Sequence, residues 1–137
     1  MARKPRILCI DDLADNLRVR ALLLQQFGCE TFTASDHSSA MRIVADESID
    51  LLLIDYHLAN GETGEDIARD VCLITPHLPL VMLTGDVRLP DSARKCVDAV
   101  LMKGTSNPAD LFDIIRRLLP EAEIRAPQPV LRAEKTW

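Results

Sequence analysis

A chain of 137 residues, 47% of them hydrophobic, with a formal charge of -5 at pH 7, has room for one domain that buries roughly two-thirds of its unfolded surface, and none for a second. The composition argues against disorder, no apolar run approaches the length of a membrane span, and the acidic balance supplies no basic stripe, so direct nucleic-acid binding is disfavoured. Cys9, Cys29, Cys72 and Cys96 lack C-x-x-C spacing and read as reduced thiols, and the apolar part of the N-terminal MARKPRILCI is too short for a signal peptide, so a cytoplasmic protein without membrane contact is expected.

Arg6 to Ile10 is a short β-branched and apolar run closed by the acidic pair Asp11 and Asp12, a first strand. From about Asp15, Leu17, Ala21 and Leu24 recur at helical spacing until Gly28 stops them. Glu30 to Ala34 alternates as a second strand, and Ser35 and Asp36 offer caps for a helix with Ala40, Ile43 and Val44 on one face. Ile49 to Ile54 is an unbroken apolar run, the mark of a strand buried on both faces; it stops at Asp55, and a polar loop runs on to Gly64. Ile67, Val71 and Ile74 mark a third helix, closed off by Pro76 and Pro79. Leu80 to Leu83 is a fourth buried strand, ending at Thr84 and Gly85. Asp86 to Asp98, interrupted by Pro90, is expected to hold a short helix with ragged ends. Ala99 to Met102 is a fifth strand ending at Lys103. Pro108 opens a last helix striped by Leu111, Ile114, Ile115, Leu118 and Leu119, with Asp113 and Arg117 as an i,i+4 pair. Residues 1–120 thus read as one domain, and the proline-bearing residues 121–137 as an extended or disordered tail.

Strand and helix alternate five times with no repeat and no interior linker, which predicts a five-stranded parallel sheet with helices on both faces and right-handed crossovers. The carboxyl ends of all strands then share one edge, where such sheets bind ligands, and Asp11, Asp12, Asp55, Thr84 and Lys103 converge there. Three carboxylates in one crevice repel one another, and a hard divalent cation relieves them; oxygen donors without a soft ligand point to Mg²⁺. With the metal and the Lys103 ammonium neutralising phosphoryl oxygens, and Thr84 donating a hydrogen bond to another, one carboxylate can attack phosphorus. The expected chemistry is formation of an aspartyl phosphate. Singly, each group has a plainer role: Asp11 and Asp12 as acids before a helix, Asp55 as a turn acid, Lys103 as a solvated strand-end lysine. Their coincidence at four strand ends is what promotes them. His37, His57 and His77 show no spacing of a metal or acid–base site.

The order DD, then D closing the third strand, T closing the fourth and K closing the fifth resembles the receiver domain of two-component response regulators, from about Arg6 to Leu119. That resemblance implies the flavodoxin-like (βα)5 fold, with Asp55 as phospho-acceptor and Thr84 and Lys103 contacting the phosphoryl group. It implies Mg²⁺ held by Asp11, Asp12, Asp55 and the backbone carbonyl of His57, Asp12 being the stronger candidate of the pair for direct contact. It implies a phosphorelay receiver, not an enzyme beyond its own self-catalysed phosphorylation and dephosphorylation. The phosphodonor would be a sensor histidine kinase or phosphotransfer protein, and the signal would pass by protein contact, as in single-domain chemotaxis receivers. The outer face of the fourth helix, fifth strand and fifth helix, with Arg116 and Arg117, resembles the surface many receivers use to dimerise or bind partners. The phosphoryl lifetime would depend on the residues two past the acceptor and two past the threonine, here His57 and Asp86.

Three features depart from the family's habit. Ala59 stands where a proline usually follows the acceptor, and the later loop glycine, Gly64, comes one residue late, as in receivers of hybrid kinases. Val100 occupies the place of the aromatic whose inward swing accompanies phosphorylation, and Gly104 replaces the proline after the lysine. Val100 and Gly104 favour an alternative, an adaptor of receiver fold that phosphate does not switch. A phosphatase of the haloacid dehalogenase kind would want a second acid two residues past its nucleophile, where Leu13 and His57 stand. A flavin site would want a Ser/Thr- and Gly-rich loop after the first strand, which is lacking.

Overall fold

A computed structural model describes residues 3–58, 63–85, 89–104 and 106–126. The elements follow in strict alternation: β1 (Arg6–Ile10), α1 (Ala14–Gln26), β2 (Glu30–Ala34), α2 (His37–Asp46), β3 (Leu51–Asp55), α3 (Gly64–Ile74), β4 (Leu80–Thr84), α4 (Asp91–Arg94), β5 (Ala99–Met102) and α5 (Pro108–Leu118). All five strands are parallel, in the order β2-β1-β3-β4-β5. The strand order reverses beside β1 and β3, which is where open α/β sheets form their crevice.

Period-two alternation divides the interior into two cores, and both are apolar. Ile7, Cys9, Leu51, Leu53, Val81 and Leu83 face α1 and α5, where Leu17, Leu24, Leu111 and Ile115 meet them. Leu8, Ile10, Leu52, Ile54, Leu80 and Met82 face α2, α3 and α4 and pack on Ala40, Ile67, Val71 and Ala93. Every residue of β3 and β4 is therefore buried, as a parallel sheet covered on both sides requires. Among the described residues no helix is long and apolar enough to cross a membrane.

The bounds of β3 and one ion pair differ from the sequence reading. β3 begins at Leu51 rather than Ile49 and includes Asp55, because Asp50 is occupied as a clip: its carboxylate accepts the Arg6 N–H at 2.7 Å and the Arg3 guanidinium, and its own N–H donates to the Arg6 carbonyl at 2.7 Å. Asp98 clips the foot of β4 in the same way, accepting the Leu80 N–H at 2.8 Å and donating to the Leu80 carbonyl at 2.8 Å. Helix α4 is the short helix expected in this stretch, four residues behind Pro90. On α5, Asp113 pairs with Arg116 at 3.5 Å and not with the expected Arg117.

Helix ends follow ordinary capping chemistry. Asp36 caps α2 by accepting the Ser39 N–H at 2.7 Å, and Asn107 accepts the Asp110 N–H at 3.1 Å at the start of α5. Gly28 ends α1 with φ of 91°, a left-handed conformation that glycine enters without a Cβ penalty. The described part of the tail runs back over this end: the Arg125 N–H donates to the Phe27 carbonyl at 2.7 Å, and Ile124 packs against the α1/α5 core. The rest of the tail lies outside the described residues.

The four cysteines are free. Cys9 and Cys29 are buried as expected, and burial pushes their thiols up to about 12 and about 11. Cys72 and Cys96 are partly exposed neighbours, and a hydrogen bond between the two thiols helps push Cys96 up to about 11.

Candidate functional site

Asp11 follows β1, Asp55 closes β3, Thr84 closes β4, and Lys103 follows β5. Parallel pairing brings these ends to one edge. The ladder continues past the strands: the Asp11 N–H donates to the Ala34 carbonyl at 3.2 Å, Tyr56 N–H to Leu83 carbonyl at 2.8 Å, and Lys103 N–H to Thr84 carbonyl at 2.8 Å. Backbone hydrogen bonds thus fix the spacing of the groups before any side chain contributes. Asp11, Asp55 and Thr84 are buried, and Asp12 is half-buried.

Asp11, Asp12 and Asp55 each present a carboxylate oxygen within 4.8 Å of the others. The Lys103 ammonium lies 2.7 Å from Asp55 Oδ2, and the His57 N–H points at Asp55 Oδ1 from 3.4 Å. Asp11 is more heavily engaged. Its Oδ1 accepts the Leu13 N–H at 2.9 Å; its Oδ2 accepts Asn16 Nδ2 at 3.2 Å and Arg20 Nη1 at 2.5 Å.

These environments drive the two buried acids apart. Burial is the largest influence on Asp55 and pushes its pKa up; the Lys103 hydrogen bond and charge oppose it, and the Asp11 carboxylate adds to the rise. Burial also acts on Asp11, but the Leu13 N–H, the Arg20 guanidinium and Asn16 together outweigh it and hold that carboxyl below its usual value. Asp11 is therefore a fixed negative charge, whereas Asp55 is an under-stabilised carboxylate that gains from any further cation.

The donor set fits a hard divalent cation such as Mg²⁺: three carboxylates converge, and among the described residues oxygen is the only donor element. The site that the sequence brings together is the one that the structure assembles, with His57 beside it through its backbone. The His57 ring itself is exposed and sits edge-on to Tyr56, centroids 4.8 Å apart, while its backbone bridges to Thr63 and so closes the loop after β3. Gly64 N–H donates to the Tyr56 carbonyl at 2.6 Å. Ala59 and Asp86 lie outside the described residues. Val100 is partly buried against the α2/α3/α4 core, and Gly104 adopts φ of 85°, which proline cannot.

Sequence reasoning missed Arg20. It lies on the buried stripe of α1 between Leu17 and Leu24, and that position was the available signal: a charge on a core-facing stripe requires a buried partner.

A family model described as "Response regulator receiver domain" matches residues 7–118. The sensor protein GacS of Pseudomonas syringae pv. syringae is 35% identical over 88 residues, covering 61% of this chain and 10% of that protein. The sensor histidine kinase RcsC of Escherichia coli is 26% identical over 113 residues, covering 82% of this chain. The chain spans only 12% of that relative's length. Among solved structures, the response regulator protein TrrA from Thermotoga maritima in complex with Mg²⁺-BeF superimposes with a TM-score of 0.77, at 23% identity, over 84% of this chain and 99% of that one.

Proposed function

Because the chain belongs to the response regulator receiver domain family, its core matching from residue 7 to residue 118, we propose that it accepts a phosphoryl group on Asp55 in a Mg²⁺-dependent reaction. The observation that carries this reading is the Lys103 ammonium 2.7 Å from Asp55 Oδ2 inside a cluster of three carboxylates. The phosphodonor is a sensor histidine kinase or phosphotransfer protein, a reading supported by the similarity to sensor proteins, and the signal leaves through altered protein contacts.

In the reaction, an Asp55 carboxylate oxygen forms a bond to phosphorus as the bond from phosphorus to the donor nitrogen breaks, and the donor leaves with the electron pair. Bound Mg²⁺, held by Asp12, Asp55 and the His57 carbonyl with Asp11 behind them, would offset charge on the phosphoryl oxygens. Lys103 exchanges its carboxylate partner for a phosphoryl oxygen, so its charge is neutralised in both states. The Thr84 hydroxyl donates to another phosphoryl oxygen. Water later attacks phosphorus and restores the carboxylate, so the domain turns over only its own acyl phosphate.

Incubation with Mg²⁺ and acetyl phosphate should add one phosphoryl group by intact mass, and a chelator should prevent it; an unchanged mass with Mg²⁺ present would sink the reading. That result would instead favour a phosphate-independent adaptor, the reading that Val100 supports because no aromatic ring stands there to swing. The outer face of α4, β5 and α5, where Arg116 also lies over the Phe112 ring at 5.7 Å, is the proposed contact surface for a partner or a second copy.

The lifetime of the phosphoryl group has its own handle. His57 is exposed beside the acceptor, and its bulk restricts how water reaches phosphorus. His57→Gly should shorten the half-life of the phosphorylated form, measured as loss of added mass after the donor is removed. A longer half-life would remove His57 from this role.

A further inference from the structure

Arg20 has no part in the phosphoryl transfer just described, yet its guanidinium is buried in the acidic pocket. It stands on the core-facing stripe of α1 with Leu17 and Leu24, only 4% exposed. Helical side chains lean toward the helix N-terminus, so this one reaches back to the carboxyl edge of the sheet and places Nη1 2.5 Å from Asp11 Oδ2. A buried ion of this kind is retained only when its partner is close and well bonded, and Asp11 meets that condition with the Leu13 and Asn16 donors besides. Among the described residues the pocket therefore holds three carboxylates against two cations, Lys103 and Arg20.

We propose that Arg20 is a positioning residue and resident counter-cation of this pocket: it holds Asp11 in the outer position that the Mg²⁺ reading above already gives it, and by its own charge weakens Mg²⁺ binding. The inference rests on the reading of the pocket as a Mg²⁺ site. Two features support the split of roles. Both oxygens of Asp11 are already engaged by three donors, whereas Asp12 is half-buried and faces the crevice with solvent access. A fixed positive charge one carboxylate away from a divalent cation opposes its entry in a medium of low effective dielectric.

The test is a calorimetric titration of the whole chain with MgCl2, with circular dichroism as the check on folding. Arg20→Gln, which keeps a donor but loses the charge, should bind Mg²⁺ about tenfold more tightly than the wild type, an effect of the size one nearby charge produces. Arg20→Lys, which keeps the charge, should stay close to the wild type. Equal or weaker binding by a folded Arg20→Gln overturns the proposal, since a merely structural role predicts loss in both variants. If Arg20→Gln does not fold without metal, the double variant Arg20→Met with Asp11→Asn restores the pocket's charge balance; near wild-type affinity supports the assignment, and a large loss shows Asp11 to be a direct ligand and overturns it. No binding by the wild type would instead remove the Mg²⁺ reading itself, an outcome distinct from equal binding by all three proteins.

Discussion

Asp55→Asn should gain no phosphoryl group from acetyl phosphate and Mg²⁺, yet in Mg²⁺-free buffer near neutral pH it should melt at a higher temperature than the wild type. Both halves follow from one environment. The carboxylate at the end of β3 is the proposed nucleophile and has Lys103 beside it, and an amide of the same shape has no nucleophilic oxygen of comparable strength. The same carboxylate is costly to fold, because burial raises its pKa against the pull of Lys103 and with the push of Asp11. An acid whose folded pKa lies above its unfolded value destabilises the fold wherever it is ionised in both states, and that penalty disappears as the pH falls through the raised pKa. The neutral side chain carries no such penalty, and Lys103, about 29% exposed, can turn its ammonium to solvent at small cost. The difference in Tm should therefore be largest near neutrality and shrink as the pH drops through the raised pKa of Asp55. Asp11, held low by its three donors, contributes with the opposite sign: its stabilisation is lost on acidification in both proteins. A variant that still gains mass would displace Asp55 as acceptor; a lower Tm across the range would show that the pocket is not strained by its charge.

Among the described glycines, Gly64→Ala should be the most damaging single-methyl addition. A Cβ at Gly64 would lie 2.5 Å from the Asp55 carbonyl oxygen, 2.8 Å from Ile54 Cγ2 and 3.0 Å from Met82 Sδ. The first of these is backbone at the end of the central strand and cannot turn aside. Either α3 or the end of β3 must move, at a cost of about 3 kcal/mol, and Tm should fall by about 10 °C. Because the obstructed atom belongs to the proposed acceptor residue, phosphoryl acceptance should slow as well. Gly85→Ala is the matched control: a Cβ there meets nothing within 4 Å, so its Tm should be near that of the wild type. Equal Tm for Gly64→Ala and the wild type would mean that α3 is not seated on β3 as described.

This contact also explains what the late glycine does. Gly64 is the first residue of α3, buried, with its N–H bonded to the Tyr56 carbonyl, so close approach rather than loop flexibility demands a residue without a side chain here.

The parallel sheet and its site were legible because each chemical group ends an apolar run. Asp55 after LLLI and Thr84 after LVML announce both a strand buried on two faces and the edge where it stops. Arg20 was not legible in that way: arginine on a helix usually faces water, and only its alignment with Leu17 and Leu24 marks it as buried. The pairing of Cys72 with Cys96 leaves no trace in spacing, since it arises where the end of α3 passes the residues after α4. The start of β3 was misread because Ile49 is apolar, while the residue that decides the boundary is Asp50, through partners on β1 far away in sequence. Short α4 could be bounded only on one side, since Pro90 marks a start and nothing marks its end.

The aspartates that bracket β3 acquire a further meaning from the two apolar cores. A strand polar on one face resists sliding, because a shift of one residue exposes its greasy side; a strand apolar on both faces has no such protection. Leu51 to Ile54 would fit the sheet almost as well one step up or down. Asp50, clipped to Arg6, and Asp55, held by Lys103, stand at the two ends of that run, and a slip in either direction would drag one of these charges into hydrocarbon. They act as stop marks in an otherwise ambiguous frame, so the carboxylate proposed to receive phosphate also tells the chain where its central strand must lie.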